Sequence, residues 1–229
     1  MKPIEYQLVR SGRRKSISLQ VKQGQVRVLA PDFVETSYIE KLLLEKQTWL
    51  QQKIALYHQP DISERGYCCG ETFYWLGQPL LLTVSKANAN SVEILPERLS
   101  VKLTSRQLGS QQHVKKALHQ WYKTQAEQIL SQRLLYWQQK TQLYANQLTV
   151  RYFKSRWGSC DSKSHIKLNW LLVMAPMWVI DYVIVHELCH IQHLNHSNEF
   201  WQLVSSFEVE HVNAKRWLQQ HQQHLYWQH

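Results

Sequence analysis

His186 and His190 stand four residues apart with Glu187 beside the first of them, inside the apolar run Tyr182-Val183-Ile184-Val185-His186-Glu187-Leu188-Cys189-His190. On a helix this spacing puts both imidazoles on one face, about 6 Å apart along the axis, where they can share one ion. Glu187 sits one residue off that face and can reach a coordinated water instead of the ion. Zinc lowers the pKa of such a water to about 7, and the carboxylate can take its proton as the water attacks an electrophile. The pattern HExxH therefore suggests a hydrolase carrying one zinc ion.

The chain holds twelve histidines, so context has to separate this pattern from accident. Trp178, Val179, Tyr182, Val183 and Val185 make the helix apolar. A glutamate there is costly to bury without a cationic partner, and a metal is such a partner. His196 follows His186 by ten residues, the spacing of the third ligand in HExxHxxGxxH proteases, although His193 stands where the glycine would be. A straight helix would carry His196 about 15 Å beyond His186, so the chain must turn first. Asn195, which tolerates the left-handed conformation, could make that turn. His193 returns to the same helix face but lies about 10.5 Å along it, which suits a supporting or substrate-facing place better than a ligand. Glu199, Glu208 and Glu210 are further candidates for the third ligand, because some zinc hydrolases take a glutamate from a later helix.

These residues must be positioned by a chain of 229 residues, 44% of them hydrophobic, enough to bury a sizeable core in one domain or two. The four cysteines, Cys68, Cys69, Cys160 and Cys189, show no CxxC spacing and do not read as a disulfide framework. The first sixteen residues lack the apolar core of a signal peptide. The longest apolar run, 170–180, contains Pro176 and is too short for a membrane span. A soluble cytoplasmic protein is expected, with no membrane partner. The formal net charge of +10 and a pI near 9.5 favour anionic partners, including weak nucleic-acid binding through a basic surface. The one tight basic cluster, Arg10, Arg13, Arg14 and Lys15, reads more simply as a solvated loop between strands.

The fold class expected is α+β: a small β-rich N-terminal domain with one helix over 1–105, and a mainly helical catalytic domain over 106–229. Alternating apolar residues at 17–21 and 26–30 around Gln23-Gly24 predict a hairpin. Helical spacing follows over 37–58, then short strands near 72–76, 80–85, 92–95 and 99–103. A composition change near Ser105 opens a glutamine-rich helix over about 111–139, with Val114, Leu118, Trp121, Tyr122, Ile129 and Leu134 as its apolar stripe. Strands at 148–153 and 165–168 flank Arg156-Trp157-Gly158-Ser159-Cys160. The HExxH helix starts near Pro176, and helices over 198–207 and 212–223 close the chain.

In the 156–160 segment, glycine between tryptophan and serine predicts a tight turn, with Arg156 and Ser159 able to present hydrogen-bond donors. A plain hairpin turn with Trp157 in the core explains it equally well. No base is singled out for Cys160, so a structural thiol is expected there.

Taken with Ile166-Lys167-Leu168-Asn169, DYVIVHELCH, NHSNEFW, the RRKSISLQV hairpin and Lys46-Gln47-Thr48-Trp49-Leu50, this segment gives the chain a resemblance to the YgjP-like family of metal-dependent hydrolases over nearly its full length. That family is similar to the SprT and WLM zinc peptidase groups. The resemblance implies a zincin-like catalytic domain, zinc ligands at His186, His190 and His196, and Glu187 as catalytic base. A metallopeptidase is the leading expectation, with Arg156 facing the charge that develops on the attacked group. Trp157, Ser159, Asn169 and His193 are expected to lie along the substrate, which would pair with the strand ending at Leu168-Asn169 as a sheet edge. The substrate would be a peptide or protein. Alternatives are a nucleotide pyrophosphohydrolase, since the same chemistry can attack a phosphoanhydride, a protease acting on DNA-bound proteins, and a nucleic-acid-binding protein with a structural metal.

Overall fold

The computed structural model describes residues 4–22, 24–57, 65–207, 209–225 and 227. Two compact units divide the chain, 1–62 and 63–229.

In the first unit, β1 (Tyr6–Arg10), β2 (Ser18–Lys22) and β3 (Gln25–Ala30) form a sheet of order β1-β3-β2. The expected hairpin is β2–β3, antiparallel, with Gly24 at φ 75° in the turn; Gln23 falls outside the described residues. β1 pairs with β3 in parallel. Val26, Val28 and Ala30 alternate toward a core completed by Ile39, Leu43 and Leu50. The single helix expected over 37–58 is two helices, α1 (Thr36–Glu45) and α2 (Gln47–Tyr57), and His58 lies outside the described residues. Lys46 leaves the helical region at φ −98°, ψ 9°, so the spacing continues across a bend that periodicity cannot register. Within the basic cluster, Arg10 braces the end of β3, its guanidinium donating to the carbonyls of Pro31, Asp32 and Val34 at 3.3, 3.0 and 2.6 Å.

The second unit contains two more sheets. β4 (Thr72–Trp75), β5 (Gln78–Lys86), β6 (Ser91–Leu95) and β7 (Arg98–Leu103) lie in the order β4-β5-β7-β6, with β5 and β7 parallel. The apolar faces of this sheet and of α3 (Gln111–Thr141) share one core, in which Phe73, Leu82, Leu99, Val101 and Leu103 meet Val114, Leu118 and Tyr122. The composition change near Ser105 thus marks the approach to α3 inside this unit. The buried residues Val114, Leu118, Tyr122, Ala126, Leu130 and Leu134 of α3 recur every fourth residue, a spacing slightly longer than one turn, so the buried stripe winds gradually around the helix. Trp121 and Ile129 flank it, partly buried.

The third sheet joins β8 (Gln147–Arg151), β9 (Gly158–Cys160) and β10 (His165–Asn169) in the order β8-β10-β9, with β8 parallel and β9 antiparallel to β10. The segment 158–160, expected as a turn, is therefore a short strand. The strand ending at Leu168-Asn169 is the centre of this sheet and not its edge, because β9 occupies its other side. A 3-10 turn (Trp170–Met174) leads to α4 (Met177–Cys189), followed by α5 (Asn198–Ser206) and α6 (His211–Leu225).

α4 is buried along most of its length, and two devices fix it. The β4–β5 turn, with Leu76 at φ 48° and Gly77 at φ 86°, donates backbone N–H groups to the carbonyls of Val173 and Met174. A Cβ on Gly77 would lie 2.6 Å from Pro176 Cγ, so the turn seats directly on the start of α4. Farther along, Arg133 on α3 forms a bidentate pair with Asp181, Nε to Oδ1 at 2.7 Å and a terminal nitrogen to Oδ2 at 2.8 Å. Asp181→Ala leaves that guanidinium mostly buried and unpaired, and should lower unfolding free energy by about 2 kcal/mol. Urea denaturation of the variant checks this.

Candidate metal centre

α4 carries His186 and Glu187, and His190 caps its C-terminal end. The chain then tightens: Ile191 and Gln192 donate to carbonyls three residues back, ending the helix where a straight continuation would have carried His196 away. Asn195, the residue expected to turn in the left-handed region, is not among the described positive-φ residues. Ser197 then starts α5, its Oγ accepting from Phe200 N–H at 3.4 Å.

The outcome is convergence. His186, His190 and His196 each offer a ring nitrogen within 4.8 Å of the others, a set that could hold a metal ion. The Nε2 atoms of His186 and His196 are 3.0 Å apart, close to the roughly 3.3 Å between two ligands bonded tetrahedrally at 2.0–2.1 Å. His190 Nδ1 lies 2.9 Å from the His193 carbonyl, which can only accept, so Nδ1 carries the proton and Nε2 is left free for a cation. Tyr182 Oη lies 3.5 Å from His186 Nδ1. Burial, with the neighbouring His190, His196 and Lys215 adding to it, pushes His186 down to about 3, which keeps it in the neutral form that a metal needs.

Aromatic packing holds the three rings in place. Phe200, fully buried, stacks on His190 at 4.6 Å between centroids and meets His186 and His196 edge-on, both at 4.9 Å. Trp201 stacks on His196 at 5.6 Å and on His211 at 5.6 Å. Phe200→Ala should cost about 3–5 kcal/mol of stability, as buried phenylalanines do. Weaker metal retention should accompany it, measured by competition with a chelator.

Glu187 is 5% exposed and its Oε2 makes no hydrogen bond. Burial raises its carboxyl to about 8, against a smaller opposing pull from Arg156. An orphaned buried acid beside three converging imidazoles fits a site built to receive a cation, which would restore its charged form. Gly158 on β9 lies against it: a Cβ there would come within 2.5 Å of Glu187 Oε1 and 2.8 Å of Cδ. The glycine of the 156–160 segment is thus the floor under the carboxylate.

Residues 15–221 match the family model described as YgjP-like, metallopeptidase domain. The chain belongs to the YgjP-like family. No curated protein and no solved structure matches it. A metallopeptidase-family domain implies a metal-dependent hydrolase using a divalent ion, and in this YgjP-like chain the histidine cluster is a set that could bind one. No helix among the described residues is long and apolar enough to cross a membrane.

The other expected site residues fall at different distances from this cluster. Trp157 lines the groove beside His186 and Glu187, and Arg156 is exposed close enough to act on Glu187. Ser159 is half-buried on β9, paired with Lys167. Asn169 has no exposed surface: its amide donates to the carbonyls of Phe153 and Arg156 at 3.0 and 3.1 Å and its oxygen accepts from Leu171 N–H, so it shapes the 153–157 loop from within. Such a position cannot touch substrate. His193 contributes through its carbonyl. Glu199 is held low first by its hydrogen bond with Ser197 and lies in the first turn of α5, while Glu210 accepts from Asn213; neither belongs to the histidine cluster. Glu208 lies outside the described residues. Burial pushes Cys160 to about 11 and Cys189 to about 12, so neither thiol is poised as a nucleophile.

Sequence reasoning passes over Lys215. Its ammonium lies 4.5 Å from the Trp201 ring centroid, and it lines the same groove as Glu187. No local spacing ties α6 to α4, so only the fold can bring them together.

Proposed function

We propose that this chain is a zincin-like metallopeptidase with one zinc ion held by His186, His190 and His196 and with Glu187 as general base. The observation that carries the reading is the convergence of three imidazoles next to a buried, unpartnered carboxylate. Zinc, when bound, would supply a Lewis acid that acidifies water and polarises a carbonyl. Glu187, returned to its charged form by the bound cation, would accept the proton of the attacking water and pass it to the leaving amine. Gly158 keeps the carboxylate in register, and Arg156, exposed at the mouth, would face the oxygen on which charge develops. Since β9 is the edge of its sheet, an extended peptide would pair along Gly158–Cys160 rather than along β10. Trp157 and Ser159 flank that path.

Zinc-loaded protein should cleave an unstructured protein such as casein, monitored by appearance of free amines. Nucleoside triphosphates in a parallel assay should remain intact. Cleavage of the triphosphates alone would replace the peptidase reading by the pyrophosphohydrolase one.

A further inference from the structure

Beside Glu187 and His186 opens a groove of about 300 Å³ between α4 and α6. Val183 and Leu218, both buried, supply apolar surface in it, while Lys215, Gln219 and Gln222 of α6 bring polar ends and Tyr182 a hydroxyl. Lys215, Gln219 and Gln222 follow an i, i+4, i+7 spacing, so one face of α6 presents them together. Among the described residues, a cation is the only full charge that this helix face brings to the groove.

Lys215 is held in place and its charge is unspent. Its ammonium rests on the Trp201 ring, which is itself stacked on His196, so the cation is tied to the cluster by two ring contacts. Among the described residues no carboxylate forms an ion pair with it. A lysine head kept beside an apolar floor, with two amides at hand, matches a ligand group having a short methylene stem and a carboxylate tip. We infer that this groove is the specificity pocket for an acidic side chain, glutamate before aspartate, next to the bond that is cut. Glutamate's extra methylene covers more of Leu218 and Val183. The pocket rests on the peptidase reading, and it goes further by assigning the substrate class and the residue that selects it.

The test is binding to zinc-loaded Glu187→Gln protein, followed by calorimetry, with extended peptides in which each position in turn carries Glu or its isostere Gln. At one position Glu should bind about ten-fold tighter than Gln, the size of one hydrogen bond to a charged group. Lys215→Met, with its zinc content and thermal midpoint unchanged, should erase that difference, and Lys215→Glu should reverse it toward a Lys-bearing peptide. Equal binding of Glu and Gln peptides at every position would overturn the inference, as would a preference that survives Lys215→Met. Tighter binding of a phosphoserine peptide than of the Glu peptide would assign the groove to phosphate and overturn it as well. Cleavage of peptides by the wild type without any acidic preference would remove this pocket and leave the peptidase reading standing. Failure of every peptide to bind or be cleaved removes both.

Discussion

Glu187→Gln should reduce the turnover of zinc-loaded protein by about 10²–10⁴-fold, the range that a positioned general base supplies. Glutamine keeps the shape of glutamate but cannot accept a proton. The carboxylate lies outside the three-histidine cluster, so zinc content should stay at the wild-type level. Stability should not suffer either, since Oε2 has no hydrogen-bond partner to lose and a neutral amide is cheaper to bury than an ionised carboxylate. Metal content by atomic absorption, unfolding in urea and cleavage rate, measured on one preparation, separate these effects. A variant that loses its zinc together with its activity would show that Glu187 acts on the metal site itself.

The second large effect is expected one strand away. Gly158→Ala places a methyl group within 2.5–2.8 Å of three atoms of the Glu187 carboxyl end. Glu187 is almost fully enclosed and can yield only by moving its carboxylate away from the position it now holds. A displacement of about 1 Å is enough to cost roughly 10²-fold in rate, with the histidine cluster untouched. If the methyl acts through Glu187, the two substitutions will not add: Gly158→Ala in the Glu187→Gln background should cause little further loss. Full additivity of the two losses would place Gly158's contribution elsewhere.

These two residues also show how far the sequence can be read. Glu187 is legible because HExxH is local: five consecutive residues at the end of one helix, which announces itself by its apolar flanks. The β2–β3 hairpin and the apolar stripe of α3, apart from its small Ala126 and from Leu130, are legible for the same reason, since period 2 and period 3.6 are properties of neighbouring residues. Gly158 stands out in the sequence, but as part of a turn. A three-residue strand is too short for alternation to appear, and the reason for the glycine lies on α4, some thirty positions away. Asn169 shows the opposite error, in which a polar residue at a strand end reads as a substrate contact although its amide is consumed by the loop it braces. The bend at Lys46 leaves the helical spacing intact and so leaves no trace. His196 does join the cluster, whereas the turn that brings it there is a tightened helix end and not a left-handed Asn195. Lys215 and Trp201 depend on the packing of α5 and α6 around α4, which no spacing within either helix encodes.

The proposed function depends on His186, His190 and His196 together holding one metal ion. Its most direct test is zinc stoichiometry of chelator-treated and reconstituted protein, wild type beside His186→Ala, His190→Ala and His196→Ala. One zinc per chain in the wild type is expected, with each single substitution reducing retention on a desalting column to a small fraction of that value. Undiminished retention of zinc by all three variants, or no retention by the wild type, would rule out a metal site built from these histidines.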